Sequence, residues 1–261
     1  MIPIIQEFIH INRFSRTGKK LRAKLGFVMH WTLSFGAPAR NISRYFNNLK
    51  NQNPNDDIRD IYAGAHYSVD RFNIIQSIPT DELAHQCGSS KPYMPDALTM
   101  LGSYPNNSTI GIEMCVELDG SIHEDTFQNA ADLVVHLIRE EGFPNTIFTH
   151  HGVVGWKKCP LPWVTNPSEF ERFKMTVNTK LEELRMIGEL TKKLEELTAN
   201  IEKLAERTAK LEKECEETVA PEWFANEFPN VDLTKVINSP LKTKEMWEIL
   251  AITWRSIGYK G

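Results

Sequence analysis

Between residues 26 and 149 the apolar positions switch repeatedly between two spacings. Gly26-Phe27-Val28-Met29-His30-Trp31-Thr32 is a short continuous apolar run and predicts a buried strand. From Pro38 to Lys50, Ile42, Tyr45, Phe46 and Leu49 recur at helical spacing behind a proline suited to a first turn. Residues 65–70 alternate as a half-buried strand does, and residues 72–78 follow closely enough to predict a hairpin. Residues 88–108 are rich in Gly, Ser, Pro and Asn and predict an exposed loop bordering a groove. Residues 109–118 return to period two, with Ile110, Ile112, Met114 and Val116 on one face and Gly111, Glu113 and Cys115 on the other. Phe127, Ala130, Ala131, Val134, Leu137 and Ile138 predict an amphipathic helix over 124–142, ending at Gly142. A short strand at 145–149 follows. Strand, helix, strands, helix and strand with short connections predict an α/β domain over residues 1–175, a mixed central sheet flanked by helices.

The pattern then changes. Residues 176–218 are dominated by Lys, Glu, Leu and Thr. Ile187, Leu190, Leu194, Leu197, Ile201, Leu204, Thr208 and Leu211 fall at alternating steps of three and four, with Cys215 continuing the a position. This predicts a long coiled-coil helix whose narrow stripe needs a partner, either a second copy, giving a homo-oligomer through residues 177–217, or a fold-back on its own chain. Val177, Leu181 and Leu184 run one residue out of phase with that seam, which predicts an irregularity near Gly188. Pro221 ends the helix, and residues 219–261 read as a small helical module. Its aromatic set (Trp223, Phe224, Phe228, Trp247, Trp254, Tyr259) leaves two readings open, a wall-binding unit or a helical cap.

Composition narrows the classes. The 261 residues carry 41% hydrophobic residues, enough for a packed core, and a net charge of −4, which gives no global attraction for nucleic acid. Cys87, Cys115, Cys159 and Cys215 form neither a CxxC pair nor a disulfide framework and read as reduced thiols. No apolar run is long enough for a membrane span. The first residues lack the features of a signal peptide, so synthesis in the cytoplasm is expected.

Chemistry concentrates in His150-His151-Gly152-Val153-Val154-Gly155-Trp156-Lys157-Lys158-Cys159-Pro160. Imidazole nitrogen and thiolate sulfur together suit zinc, and the two glycines let the chain loop back to bring both to one ion. A third ligand must come from elsewhere. His30, near the end of its strand, is either a core histidine bonded to a carbonyl or a group facing a cleft. His66 and His85 are further candidates, as ligands or as cleft-lining residues. Glu113, a carboxylate amid apolar neighbours, needs a partner: a basic group, a tyrosine or a metal site.

Taken in order, Val28-Met29-His30-Trp31-Thr32, Ala65-His66-Tyr67, Ala84-His85, Ser108 to Cys115 and His151-x7-Cys159-Pro160 resemble the zinc-dependent N-acetylmuramoyl-L-alanine amidases of the amidase-2 type, over residues 8–165. The group includes phage endolysins and bacterial autolysins and shares its fold with peptidoglycan recognition proteins. The resemblance implies Zn2+ held by His30, His151 and Cys159, with His151 chosen because it stands eight before the cysteine. It implies Glu113 as catalytic carboxylate, Lys157 as a second catalytic group, and His66, His85 and Trp31 in the substrate groove. Trp156 shares that last reading, and both tryptophans could equally be core aromatics. The implied reaction cleaves the amide between N-acetylmuramic acid and L-alanine in bacterial peptidoglycan, at the cell wall after holin-type release or lysis. A non-catalytic peptidoglycan binder and a zinc hydrolase of another amide are the alternatives. Two departures stand out. Relatives with a tyrosine just before the position of His66 contrast with Ala65 here, leaving Tyr67 as the nearest phenol. The family run Asp-Val-Thr-Gly-Lys is here Val153-Val154-Gly155-Trp156-Lys157, so its aspartate is missing and the surroundings of the metal are expected to differ.

Overall fold

The computed structural model describes residues 2–55, 58–216, 220–230 and 244–258. By packing, the chain divides into two units, Met1–Arg185 and Met186–Gly261.

In the first unit, β1 (Ile4–Gln6), β3 (Gly26–Trp31), β4 (Tyr67–Val69), β5 (Ile74–Gln76), β7 (Thr109–Met114) and β8 (Ile147–Thr149) form one sheet in the order β1-β5-β4-β7-β3-β8. Its neighbours are parallel except for the predicted β4–β5 hairpin. β2 (Arg16–Lys20) and β6 (Glu82–Ala84) make a separate antiparallel pair tied by the Arg16–Glu82 ion pair at 2.8 Å. β1, β2 and β6 lie outside the predicted elements, because segments so short leave little periodicity to read.

Alternation along the central strands sorts the side chains as predicted. Phe27, Met29, Ile110, Ile112 and Met114 enter one core with Phe127, Leu133, Val134 and Leu137 of α3 (Glu124–Glu141). Gly142 closes α3 in the left-handed region at φ 72°, where a side chain is disfavoured. On the other face Ile42, Phe46 and Leu49, from and just after α1 (Ala39–Asn48), pack with Ile75, Ile78 and Cys115. The expected loop at 88–108 contains α2 (Pro95–Leu101), whose Ala97 and Leu101 pack on Val28, Val153 and Val154. Pro95 starts this helix and Gly102 follows it, so its termini carried the turn signal that masked it.

After α4 (His150–Val154) and α5 (Leu161–Thr165), α6 runs unbroken from Pro167 to Glu216. No break occurs at Gly188. The change of phase has a different cause: Phe173, Val177, Leu181 and Leu184 pack on the α3 core, whereas the seam from Ile187 onward is exposed. In the second unit, α7 (Glu222–Glu227) and α8 (Lys244–Ser256) bury Phe224, Phe228, Trp247, Ala251 and Trp254 against one another. Tyr259 lies outside the described residues. Among those described, no helix is long and apolar enough to cross a membrane.

Candidate metal centre

Three adjacent parallel strands end at one place. His30 is the penultimate residue of β3 and pairs in register with Glu113, the penultimate residue of β7. On the other side of β3, Met29 pairs with Thr149, so His150 emerges at the level of His30. The crevice beyond the carboxyl ends of parallel strands is where such sheets place their chemistry.

The loop after α4 returns Cys159 to this point, its Sγ 3.8 Å from Nδ1 of His30. One ligand atom each from His30, His150 and Cys159 lies within 4.8 Å of the others. The two imidazoles meet edge to face, with centroids 4.6 Å apart. Nε2 of His150 is buried and has no hydrogen-bond partner among the described residues. Burial pulls His30 down to about 4 from its usual 6.5, and His150 to about 2, so both rings are neutral and able to donate lone pairs. Burial pushes the Cys159 thiol up to about 12, so only a nearby cation would draw off its proton. Two imidazoles and a sulfur with one orphaned nitrogen can hold a metal ion.

The histidine gathered with His30 and Cys159 is His150, where the resemblance implied His151. His151 sits one step further along α4, which turns its ring away from the cluster. It closes the loop instead: its backbone N–H donates to Cys159 O at 2.8 Å, and its Nδ1 lies 3.0 Å from Lys157 O.

Oε1 of Glu113 lies 4.0 Å from Nδ1 of His30. Burial raises its carboxyl to about 8, opposed by the charge of Lys157. The charge of Lys157 also lowers His30, His150 and Cys159. Gln86, which no motif marked, puts Oε1 2.9 Å from Nε2 of His30.

The groove residues divide. His66 is corrected to a core histidine: it is fully buried, Nε2 donates to Glu82 O at 2.8 Å, and Nδ1 accepts from Gly111 N at 3.0 Å. Trp31 is also buried, near Phe35, and its groove assignment is corrected to packing. His85 is half-buried, edge-on to Tyr62. Trp156 is 46% exposed, donates to Ser89 Oγ, and has Lys91 and Lys157 over its ring. Tyr67 points into the α3 core, away from the face of Glu113, so it does not replace the phenol missing at Ala65.

The family model described as N-acetylmuramoyl-L-alanine amidase matches residues 22–162. A probable N-acetylmuramoyl-L-alanine amidase of Bacillus licheniformis is 37% identical over 182 residues, covering 69% of this chain and 49% of that protein. The N-acetylmuramoyl-L-alanine amidase BlyA of Bacillus subtilis is 34% identical, covering 69% and 48%. The chain thus spans about half the length of these relatives. The solved catalytic domain of XlyA superposes with a TM-score of 0.51 at 25% identity, over 67% of this chain and 99% of that domain.

Proposed function

The chain belongs to the N-acetylmuramoyl-L-alanine amidase family, and on that premise we propose that it is a zinc hydrolase cleaving the amide between N-acetylmuramic acid and L-alanine in bacterial peptidoglycan. The observation that carries this reading is a buried carboxyl, Glu113, 4.0 Å from an imidazole of the His30–His150–Cys159 cluster. His30, His150 and Cys159 would hold the zinc. Bound there, zinc supplies Lewis acidity for amide hydrolysis.

Glu113 accepts a proton from the attacking water and returns it to the departing amine, so the new alanine amino terminus leaves neutral. Its raised pKa suits both halves of that transfer, and the charge of Lys157 holds it in range. Lys157 also offers its ammonium to the negative charge developing on the lactyl oxygen. Trp156 and His85 border the approach as polymer-facing groups. The site of action is the cell wall.

The test is digestion of purified peptidoglycan with labelling of new amino termini. L-alanine termini should appear with zinc, vanish with a chelator, and be absent with Glu113→Gln. A bound but uncut wall would instead mean a binding protein, and a different new terminus another amide.

A further inference from the structure

The stripe on α6 has no cover among the described residues. Its seven apolar residues from Ile187 to Leu211 are each 52–65% exposed. We propose that a second copy of this chain covers it, forming a parallel two-stranded coiled coil over residues 187–211. The proposal is independent of the hydrolase reading.

Three observations choose the occupant and its direction. The first is side-chain shape. Ile187, Ile201 and Thr208, all β-branched, take three of the four a positions in this span, and leucine takes all four d positions. That division favours two parallel strands over higher assemblies.

The second is polar satisfaction. Thr191, Thr198 and Thr208 lie on or beside the seam, and each hydroxyl donates to the carbonyl four residues back at 2.9 Å. Their methyl groups can therefore be covered without orphaning a hydroxyl, as a buried interface requires.

The third is charge. In parallel register each g position meets the e position five residues further on the partner. Arg207 then faces Glu212 of the second copy, twice by symmetry, and Lys193 faces neutral Thr198. In the antiparallel pairing with full overlap, g meets g. Lys193 then faces Arg207, also twice, and the pairing is repulsive. The direction thus follows from two basic residues both standing at g.

A fold-back within one chain finds no matching element among the described residues. The seam's 25 residues extend about 37 Å at 1.5 Å per residue. α8 has only 13 residues, and Trp247, Ala251 and Trp254 on it are already committed to their own core.

Sedimentation equilibrium of the full chain should give twice the 29.9 kDa chain mass. Leu197→Lys with Leu204→Lys should give the single-chain mass while the wild-type circular dichroism of the folded units persists. Direction is read by oxidative crosslinking in a Cys215→Ser background. Leu190→Cys alone should crosslink to itself, and a mixture of Leu190→Cys with Thr208→Cys should give no mixed product. A monomer at tens of micromolar overturns the proposal, whether the seam is bare or folded back. A trimer or larger species overturns the two-stranded assignment, and the mixed crosslink overturns the parallel one.

Discussion

Nε2 of His30 and Oε1 of Gln86 are 2.9 Å apart, and the direction of that hydrogen bond is set from the far end of the amide. Gln86 Nε2 donates to Thr109 O and Oγ1 at 3.1 and 2.9 Å, and the Thr109 hydroxyl donates onward to Pro105 O. The amide oxygen must then accept, and His30 carries its proton on Nε2. Its Nδ1 lone pair is left facing Cys159. Gln86→Leu should weaken zinc binding about 10–100-fold, the usual cost of losing such a support. Chelator competition measures this directly, and Gln86→Glu, which keeps an acceptor, should recover part of the loss. Unchanged affinity in Gln86→Leu would remove Gln86 from the site.

Gly111 should give the same phenotype from the other side of that amide. A Cβ added there would stand 2.3 Å from Gln86 Oε1 and 2.6 Å from its Cδ. Gly111→Ala should therefore fold, because what must yield is a side-chain end, yet bind zinc as poorly as Gln86→Leu. The pair of mutations should be less than additive, since both displace one group.

His150 and His151 can be separated by metal content. His150→Ala should lose bound zinc, while His151→Ala should retain it and lose stability through the opened Cys159 loop. Zinc analysis of the two purified variants, alongside their melting temperatures, gives the answer. The opposite pattern would restore the eight-residue spacing.

Glu113→Gln preserves shape and removes the proton acceptor. It should keep zinc and reduce wall hydrolysis by at least about 100-fold, the lower range for general acid–base groups. Hydrolysis at the parent rate would dismiss Glu113 as the base.

His66 predicts an acid weakness outside the metal centre. Burial lowers it to about 4 from 6.5. Between those values the unfolded chain takes up a proton that the folded chain refuses. The stabilisation is complete above pH 6.5 and is lost as pH falls toward 4, about 3 kcal/mol in all at ~1.4 kcal/mol per unit. Denaturant titrations of metal-free protein at pH 7 and pH 5 should show the fall, and His66→Gln should lessen it, leaving the share that His30 and His150 contribute. An equal pH dependence in both proteins would rule His66 out as its source.

The strands and helices that position the site were legible because their apolar residues obey one period at a time. β3, β7 and α3 each carry such a run, and the structure brings His30, Glu113 and Cys159, named from the sequence, to one place. The failures have local causes. α2 hid inside its own turn residues, and His66 looked like a groove residue because sequence does not show that both its nitrogens are engaged. Gln86 left no trace, since an isolated amide acquires meaning only when its partners are placed. His150 left no signal of its own, because the eight-residue count back from Cys159 pointed to its neighbour.

The register between β3 and β7 is held from the side of the sheet opposite the metal centre. Phe27, Met29, Ile110 and Ile112 anchor both strands there. Sliding either strand by one residue would expose those greasy groups and, in the same movement, swing His30 or Glu113 into oil. The spacing of His30 and Glu113 is thus gauged by side chains on the far face, and mutations deep beneath the sheet should disturb the metal centre before they unfold the domain.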